Sequence, residues 1–203
     1  MTITLHQGDL PDGLSFGASV AVDTETLGLN PLRDRLCLVQ LSAGDGSAHL
    51  VQVPKQGIAA PNLCRLFADR AVQKIFHFGR FDMAMLDHAL GVMPEPVFCT
   101  KIASKLTRTY TDRHSLKELA RELIGIDLSK QQQSSDWGAP ELSQAQLEYA
   151  AADVQHLHAL RDRLTEMLKR EGRLQLAQAC FAFLPTRVRL DLAGFTDDDL
   201  FAH

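Results

Sequence analysis

Ser19-Val20-Ala21-Val22-Asp23-Thr24-Glu25-Thr26 is an apolar, partly β-branched run that ends in acids, and it reads as a strand delivering carboxylates at its tip. Side chains two apart on a strand point the same way, so Asp23 and Glu25 converge on one spot while Thr24 faces elsewhere. Alone, an Asp-x-Glu of this kind is most often a solvated loop start. Its meaning depends on what the rest of the chain brings to it.

Two further segments bring acids. Lys74-Ile75-Phe76-His77-Phe78-Gly79-Arg80-Phe81-Asp82 reads as a short strand, a glycine break and a helix start, which puts Asp82 in the first helical turn. An acid there also favours the helix dipole with no further role. The alanine-rich stretch Gln146-Leu147-Glu148-Tyr149-Ala150-Ala151-Ala152-Asp153-Val154 is predicted helical, and Tyr149 and Asp153, four apart, share one face of it. They fit the rim of an ordinary amphipathic helix equally well. The combination and order of all five residues carry more than any one of them.

Phosphodiester hydrolysis needs the attacking and leaving oxygens stabilised together, which two divalent ions roughly 3.5 to 4 Å apart achieve. Mg2+ and Mn2+ take hard oxygen ligands and retain waters, so a few carboxylates from separate elements suffice. In this reading Asp23 bridges both ions, Glu25 and Asp153 hold the ion carrying the attacking water, and Asp82 supports the second ion, directly or through water. Tyr149 orients the nucleophilic water.

The segments VAVDTETLGL (20–29), KIFHFGRFDMAML (74–86) and HSLKELARELIGIDLSKQQQSSDWGAPELSQAQLEYAAADVQHLHAL (114–160) resemble the three exonuclease motifs of the DEDD superfamily, in its tyrosine-bearing branch that includes ribonuclease D. The likeness covers about residues 18–170. It implies a ribonuclease H-like α/β fold, a mixed sheet flanked by helices, with 3′ to 5′ polarity and release of nucleoside 5′-monophosphates. The family's metal-binding acids fall on Asp23, Glu25, Asp82 and Asp153, and its water-orienting tyrosine on Tyr149. The opening His6-Gln7-Gly8-Asp9-Leu10-Pro11, the run from Leu27 to Cys37 and the short chain are similar to the nano-RNase C group, which cleaves very short oligoribonucleotides, dinucleotides above all. Only about 30 residues follow the third motif's helix, so the helical domains that follow in ribonuclease D are not expected here.

The resemblance also nominates substrate contacts. Leu29 falls where related short-RNA nucleases wedge an apolar side chain against bases; a buried loop leucine is the alternative. Thr24 and Leu27, which precede it, are further candidate substrate contacts. Related enzymes bring Lys130, Gln133, Asp136 and Trp137, from the polar loop 127–140, near the site. His77, Arg80, Arg108, Arg113, His114, Lys117 and Lys130 are candidate phosphate binders, although any one of them also fits a surface charge and His77 a satisfied core residue.

At 203 residues, 45% hydrophobic and 23% charged, the chain has the composition of one sizeable core and is neither disordered nor fibrous. It contains no run of 18 apolar residues and no secretory pattern at its amino terminus, so no membrane association and a cytoplasmic location are expected. Cys37, Cys64, Cys99 and Cys180 lack zinc or CxxC spacing and are expected as reduced thiols. With 21 basic and 25 acidic residues, the chain cannot hold a long polyanion by bulk attraction. Positive charge is local: residues 99–130 hold seven Lys/Arg against four Asp/Glu. That suits a few phosphates, hence short RNA or possibly DNA, although a ring with a basic lumen would weaken the inference.

Strands are predicted near 18–25, 34–42, 47–53, 72–77 and 97–100, and helices near 61–69, 81–90, 101–108, 112–124, 143–170 and from 172 to 183. Residues 1–183 are taken as one exonuclease domain and 184–203 as a tail. The alternation of Arg187, Val188, Arg189 and Leu190 fits an edge strand or arm wanting a partner, hence homo-oligomerisation. The nano-RNase C likeness implies a ring-like octamer.

Overall fold

The computed structural model describes residues 2–56, 59–129, 131–132, 134–196, 198, 200 and 202. Their strands are β1 (Thr2–Gln7), β2 (Ser19–Thr26), β3 (Leu36–Ser42), β4 (Ser47–Gln52), β5 (Gln73–Phe76) and β6 (Val97–Cys99). Their helices are α1 (Pro61–Ala68), α2 (Gly79–Leu90), α3 (Thr100–Thr107), α4 (Leu116–Ile124), α5 (Gln144–Gln155), α6 (Leu157–Arg170) and α7 (Leu174–Leu192). The strands form one mixed sheet in the order β1-β4-β3-β2-β5-β6.

β2, the opening stretch, lies inside the sheet, antiparallel to β3 and parallel to β5. Every residue of β3 is buried, as expected of a strand covered on both faces. α5 packs across β2, β3 and β4, and α2 packs against β2, β3 and β5. Because β2 and β5 run parallel, their carboxyl ends share one edge of the sheet. The acids of β2 and the start of α2, which follows β5 after two residues, are thereby brought together.

The turn into α2 is unusual. Phe78 at its N-cap takes a left-handed conformation (φ 66°), which a bulky residue rarely adopts. A Cβ on Gly79 would stand 2.7 Å from Cβ of Phe76, so only glycine lets the helix begin so close to the strand. α5 starts, as its sequence predicts, on Ser143: the hydroxyl accepts from the Gln146 N–H in a capping box.

Four expectations change. β1 has no predicted counterpart, although Ile3 and Leu5 alternate with Thr2, Thr4 and His6; so short an alternation in a largely exposed edge strand was not read, and its register comes from parallel pairing with β4. α4 begins at Leu116 rather than 112, capped by Ser115. The helix expected over 143–170 is divided at His156 into α5 and α6. Finally, 184–192 is neither an edge strand nor an arm, but the carboxyl half of α7 with Pro185 inside it. At helical spacing Leu184 and Val188 are buried together, and Arg187 pairs with Asp191 at 2.6 Å. The period-two reading of Arg187 to Leu190 mistook these for strand faces, and the core extends past 183.

Candidate active site

β2 and α5 bring one carboxylate oxygen each from Asp23, Glu25 and Asp153 to within 4.8 Å of one another. All three residues are partly buried. Asp82, from α2, stands outside that trio but near enough for its charge to raise Asp23, and is buried, its Oδ1 accepting a hydrogen bond from the Thr24 hydroxyl at 2.7 Å. The side-chain hydroxyl of Thr24, expected as a substrate contact, is engaged in positioning this acid. The alternation read from sequence explains the geometry: β2 shows Asp23 and Glu25 to one side and Thr24 to the other, and Asp82 is held through Thr24.

Four acids in a confined space resist ionisation. Glu25 is pushed up to about 9, first by burial and then by the charges of Asp153 and Asp82. Burial raises Asp82 to about 7 against the opposing hydrogen bond from Thr24. Burial likewise raises Asp153 to about 7, partly offset by the Tyr149 hydroxyl. Asp23 is also pushed well up, by burial first and then by Asp82, Asp153 and Glu25. Tyr149 is raised by burial and by Asp153, so it remains a phenol able to donate. A set of hard oxygen donors that repel one another is what a divalent cation relieves, and Asp23, Glu25, Asp82 and Asp153 fit Mg2+ or Mn2+.

Several expected substrate contacts are placed otherwise. Arg108 is fully buried, donating to Ser104 Oγ, the Arg113 carbonyl and Glu122 Oε2, so it cannot meet a phosphate at the surface. Arg80 is clamped by Asp191 at 2.6 and 2.7 Å. His77 Nδ1 lies 2.9 Å from Thr100 Oγ1, and burial pushes the ring down to about 3, so it is neutral. His114, held against Ser104 at 2.8 Å, is lowered by burial and by Arg108 and Lys105. Trp137 is buried beside Tyr149, ring centroids 6.1 Å apart, and supports that tyrosine instead of offering a face to a base. The loop carrying it is tied to α5 by Gln146, which donates to the Asp136 carbonyl at 3.1 Å. Arg113 is exposed, 4.0 Å from Glu118, and Lys117 is partly buried. Lys130 and Gln133 lie outside the described residues.

Leu27 and Leu29 are exposed, Leu29 at 85%. Leu29 shares the wall of a cavity of about 570 Å³ with Phe78, Phe81, Ala84 and Leu192. Phe78 is 46% exposed, and Lys101 Nζ sits 4.1 Å from its ring centroid. Sequence reasoning missed both Phe78 and Lys101. The one available signal was an aromatic residue between His77 and Gly79, where a strand gives way to a helix.

Known proteins share this fold. The chain is 59% identical to Brucella melitensis NrnC with bound Mg2+, covering 100% of each chain at a TM-score of 0.96. It is 60% identical to Brucella melitensis NrnC bound to pGG, covering 100% of this chain and 99% of that one at 0.97. A ribonuclease D of Gluconacetobacter diazotrophicus is 36% identical over 165 residues, which are 81% of this chain and 42% of that protein. This chain therefore spans less than half the length of that curated relative. The profile of the 3′-5′ exonuclease family matches residues 10–169, a span that holds all four acids and Tyr149, and the chain belongs to that family.

Proposed function

We propose that this protein is a metal-dependent 3′-5′ exoribonuclease that hydrolyses short oligoribonucleotides, dinucleotides preferred, to nucleoside 5′-monophosphates at the end of RNA decay. The observation that carries this is the meeting of Asp23, Glu25 and Asp153 oxygens within 4.8 Å, with Asp82 pinned beside them by Thr24. The preference for short substrates is supported by the whole-chain likeness to NrnC bound to pGG and by the modest overall charge.

Asp23, Glu25, Asp82 and Asp153 would hold two divalent ions, Mg2+ or Mn2+, which when bound supply charge stabilisation to the attacking and leaving oxygens. The chain's own groups do the rest. Tyr149, kept protonated and backed by Trp137, donates to the attacking water and fixes its line of approach. The water oxygen bonds to phosphorus and gives up a proton to solvent, while the bond to the 3′ oxygen of the preceding nucleotide breaks and that oxygen takes a proton from solvent to leave as a hydroxyl. Leu29 and Phe78 form an apolar clamp for bases, and Lys101 adds positive charge at its edge.

The active form is proposed to be a homo-oligomer, a ring-like octamer, consistent with the exposed Leu176 and Phe183 on α7. No helix among the described residues is long and apolar enough to cross a membrane, and the proposed location is the cytoplasm. Single-turnover cleavage of 5′-labelled RNA and DNA from two to about ten nucleotides tests the whole reading. The expected rate peaks at two ribonucleotides. Rates that persist with length would replace it with a ribonuclease D-like or DNA exonuclease, and inertness with both metals would leave a silent nucleic-acid-binding domain.

A further inference from the structure

Gln40 sits in the middle of β3, opposite Asp23 in the antiparallel ladder with β2 and opposite Leu50 in the ladder with β4. Directly opposed residues of an antiparallel pair show their side chains to the same face, so Gln40 shares the face of Asp23. The neighbouring positions on that face, Leu38 and Leu50, pack with Trp137 and Ala150 under α5. An aliphatic side chain would suit this place. Instead the chain has an amide with no exposed surface, and neither its Nε2 nor its Oε1 has a hydrogen-bond partner.

The other buried glutamines among the described residues are engaged. Gln52 donates to the Ala139 carbonyl at 3.0 Å and accepts from Gln7 at 2.9 Å, and Gln146 donates to the Asp136 carbonyl. An orphaned amide in a dry interior is uncommon and unfavourable, so its retention calls for a use. Cross-strand Cβ atoms lie about 4.5 to 5.5 Å apart, which brings a flexible glutamine within reach of the opposing carboxylate. A carboxamide NH2 is a donor that carries no charge of its own, so it can steady an acid without competing for its negative charge.

We propose that Gln40 is a positioning residue for Asp23: its NH2 group donates to the Asp23 carboxylate in the metal-loaded protein and fixes which oxygen faces the cation. This rests on the reading of Asp23 as a metal ligand. Donors to ligating carboxylates are a general requirement of metal sites, and their loss lowers metal affinity by about 10- to 100-fold.

Gln40→Met keeps the length of the side chain and removes both polar atoms; Gln40→Leu is the second variant. Mn2+ binding by titration calorimetry, without substrate, and the melting temperature of chelator-treated protein are compared with the parent. The proposal expects Mn2+ affinity to fall about 10- to 100-fold, while the metal-free melting temperature holds or rises because an orphaned amide is gone. Unchanged affinity, or a lower metal-free melting temperature in both variants, would show a residue that serves packing alone and overturn the proposal. A parent protein that binds no Mn2+ would overturn the metal reading itself, and this proposal with it.

Discussion

Arg108 and the acid cluster are two ways of placing charge inside one protein. Arg108 has no exposed surface, yet its terminal nitrogens meet a hydroxyl, a carbonyl and the Glu122 carboxylate, and the ion pair ties α3 to α4. Asp23, Glu25, Asp82 and Asp153 meet mainly one another. The first arrangement finds its counter-charge among the chain's own atoms, with only Nε left unpartnered, and its removal should harm folding. The second is complete only with a cation, and its removal should harm chemistry while relieving the fold. Buried charge by itself therefore does not mark an active site; unbalanced buried charge does.

The largest expected effect breaks the second arrangement. Asp153→Asn should lower turnover on a labelled dinucleotide with Mg2+ by about 10³-fold or more, roughly 4 kcal/mol of barrier. Its chelator-treated form should melt no lower than the parent. Near-normal turnover would remove Asp153 from the site.

Tyr149→Phe comes next, at about 10²-fold in kcat with little change in KM, because the hydroxyl acts on the water rather than on substrate binding. A change confined to KM would contradict that role.

Glu122→Gln attacks the other side of the comparison. It leaves Arg108 buried without its counter-charge and should reduce stability by about 2 kcal/mol in urea unfolding. Specific activity of the folded fraction should be unchanged. If activity falls with stability intact, the two regions are not separable as described.

The smallest effect concerns the metal-free protein. Glu25→Gln should raise its melting temperature by about 2 to 4 °C, equivalent to about 1 kcal/mol for a domain of this size, and abolish most of the further rise on adding Mg2+. The pH dependence has a definite sign. Carboxyls whose folded values lie near 7 for Asp82 and Asp153 and near 9 for Glu25 retain protons that the unfolded chain loses near 4. Stability of the chelator-treated protein should thus fall as pH rises from about 4 toward 9. Melting curves at pH 5 and pH 8 read this directly, and the difference should shrink in Glu25→Gln.

The site's acids were legible for a local reason. Strand alternation aims Asp23 and Glu25 together, helical spacing aligns Tyr149 with Asp153, and glycine at 79 announces the turn that carries Asp82. The surrounding contacts were not legible, since basic residues look alike in a string. Arg80 differs from a phosphate binder in meeting Asp191, which stands far along the chain, and Arg108 in its burial against Ser104, the Arg113 carbonyl and Glu122 on the following helix. Trp137 became a buried support for Tyr149 because the loop folds onto α5.

The alternation of strands and helices from β2 onward, the chemical character of the centre and the family were determined by the sequence itself, because periodicity, caps and acid spacing act over a few residues. Tertiary structure alone decided the place of β1 at the sheet edge, the helical course of 184–192, the hold of Thr24 on Asp82 and the unpartnered amide of Gln40 beside Asp23. Each of these depends on which distant segment comes to lie alongside, and burial and pairing between remote residues appear only when the chain has closed upon itself.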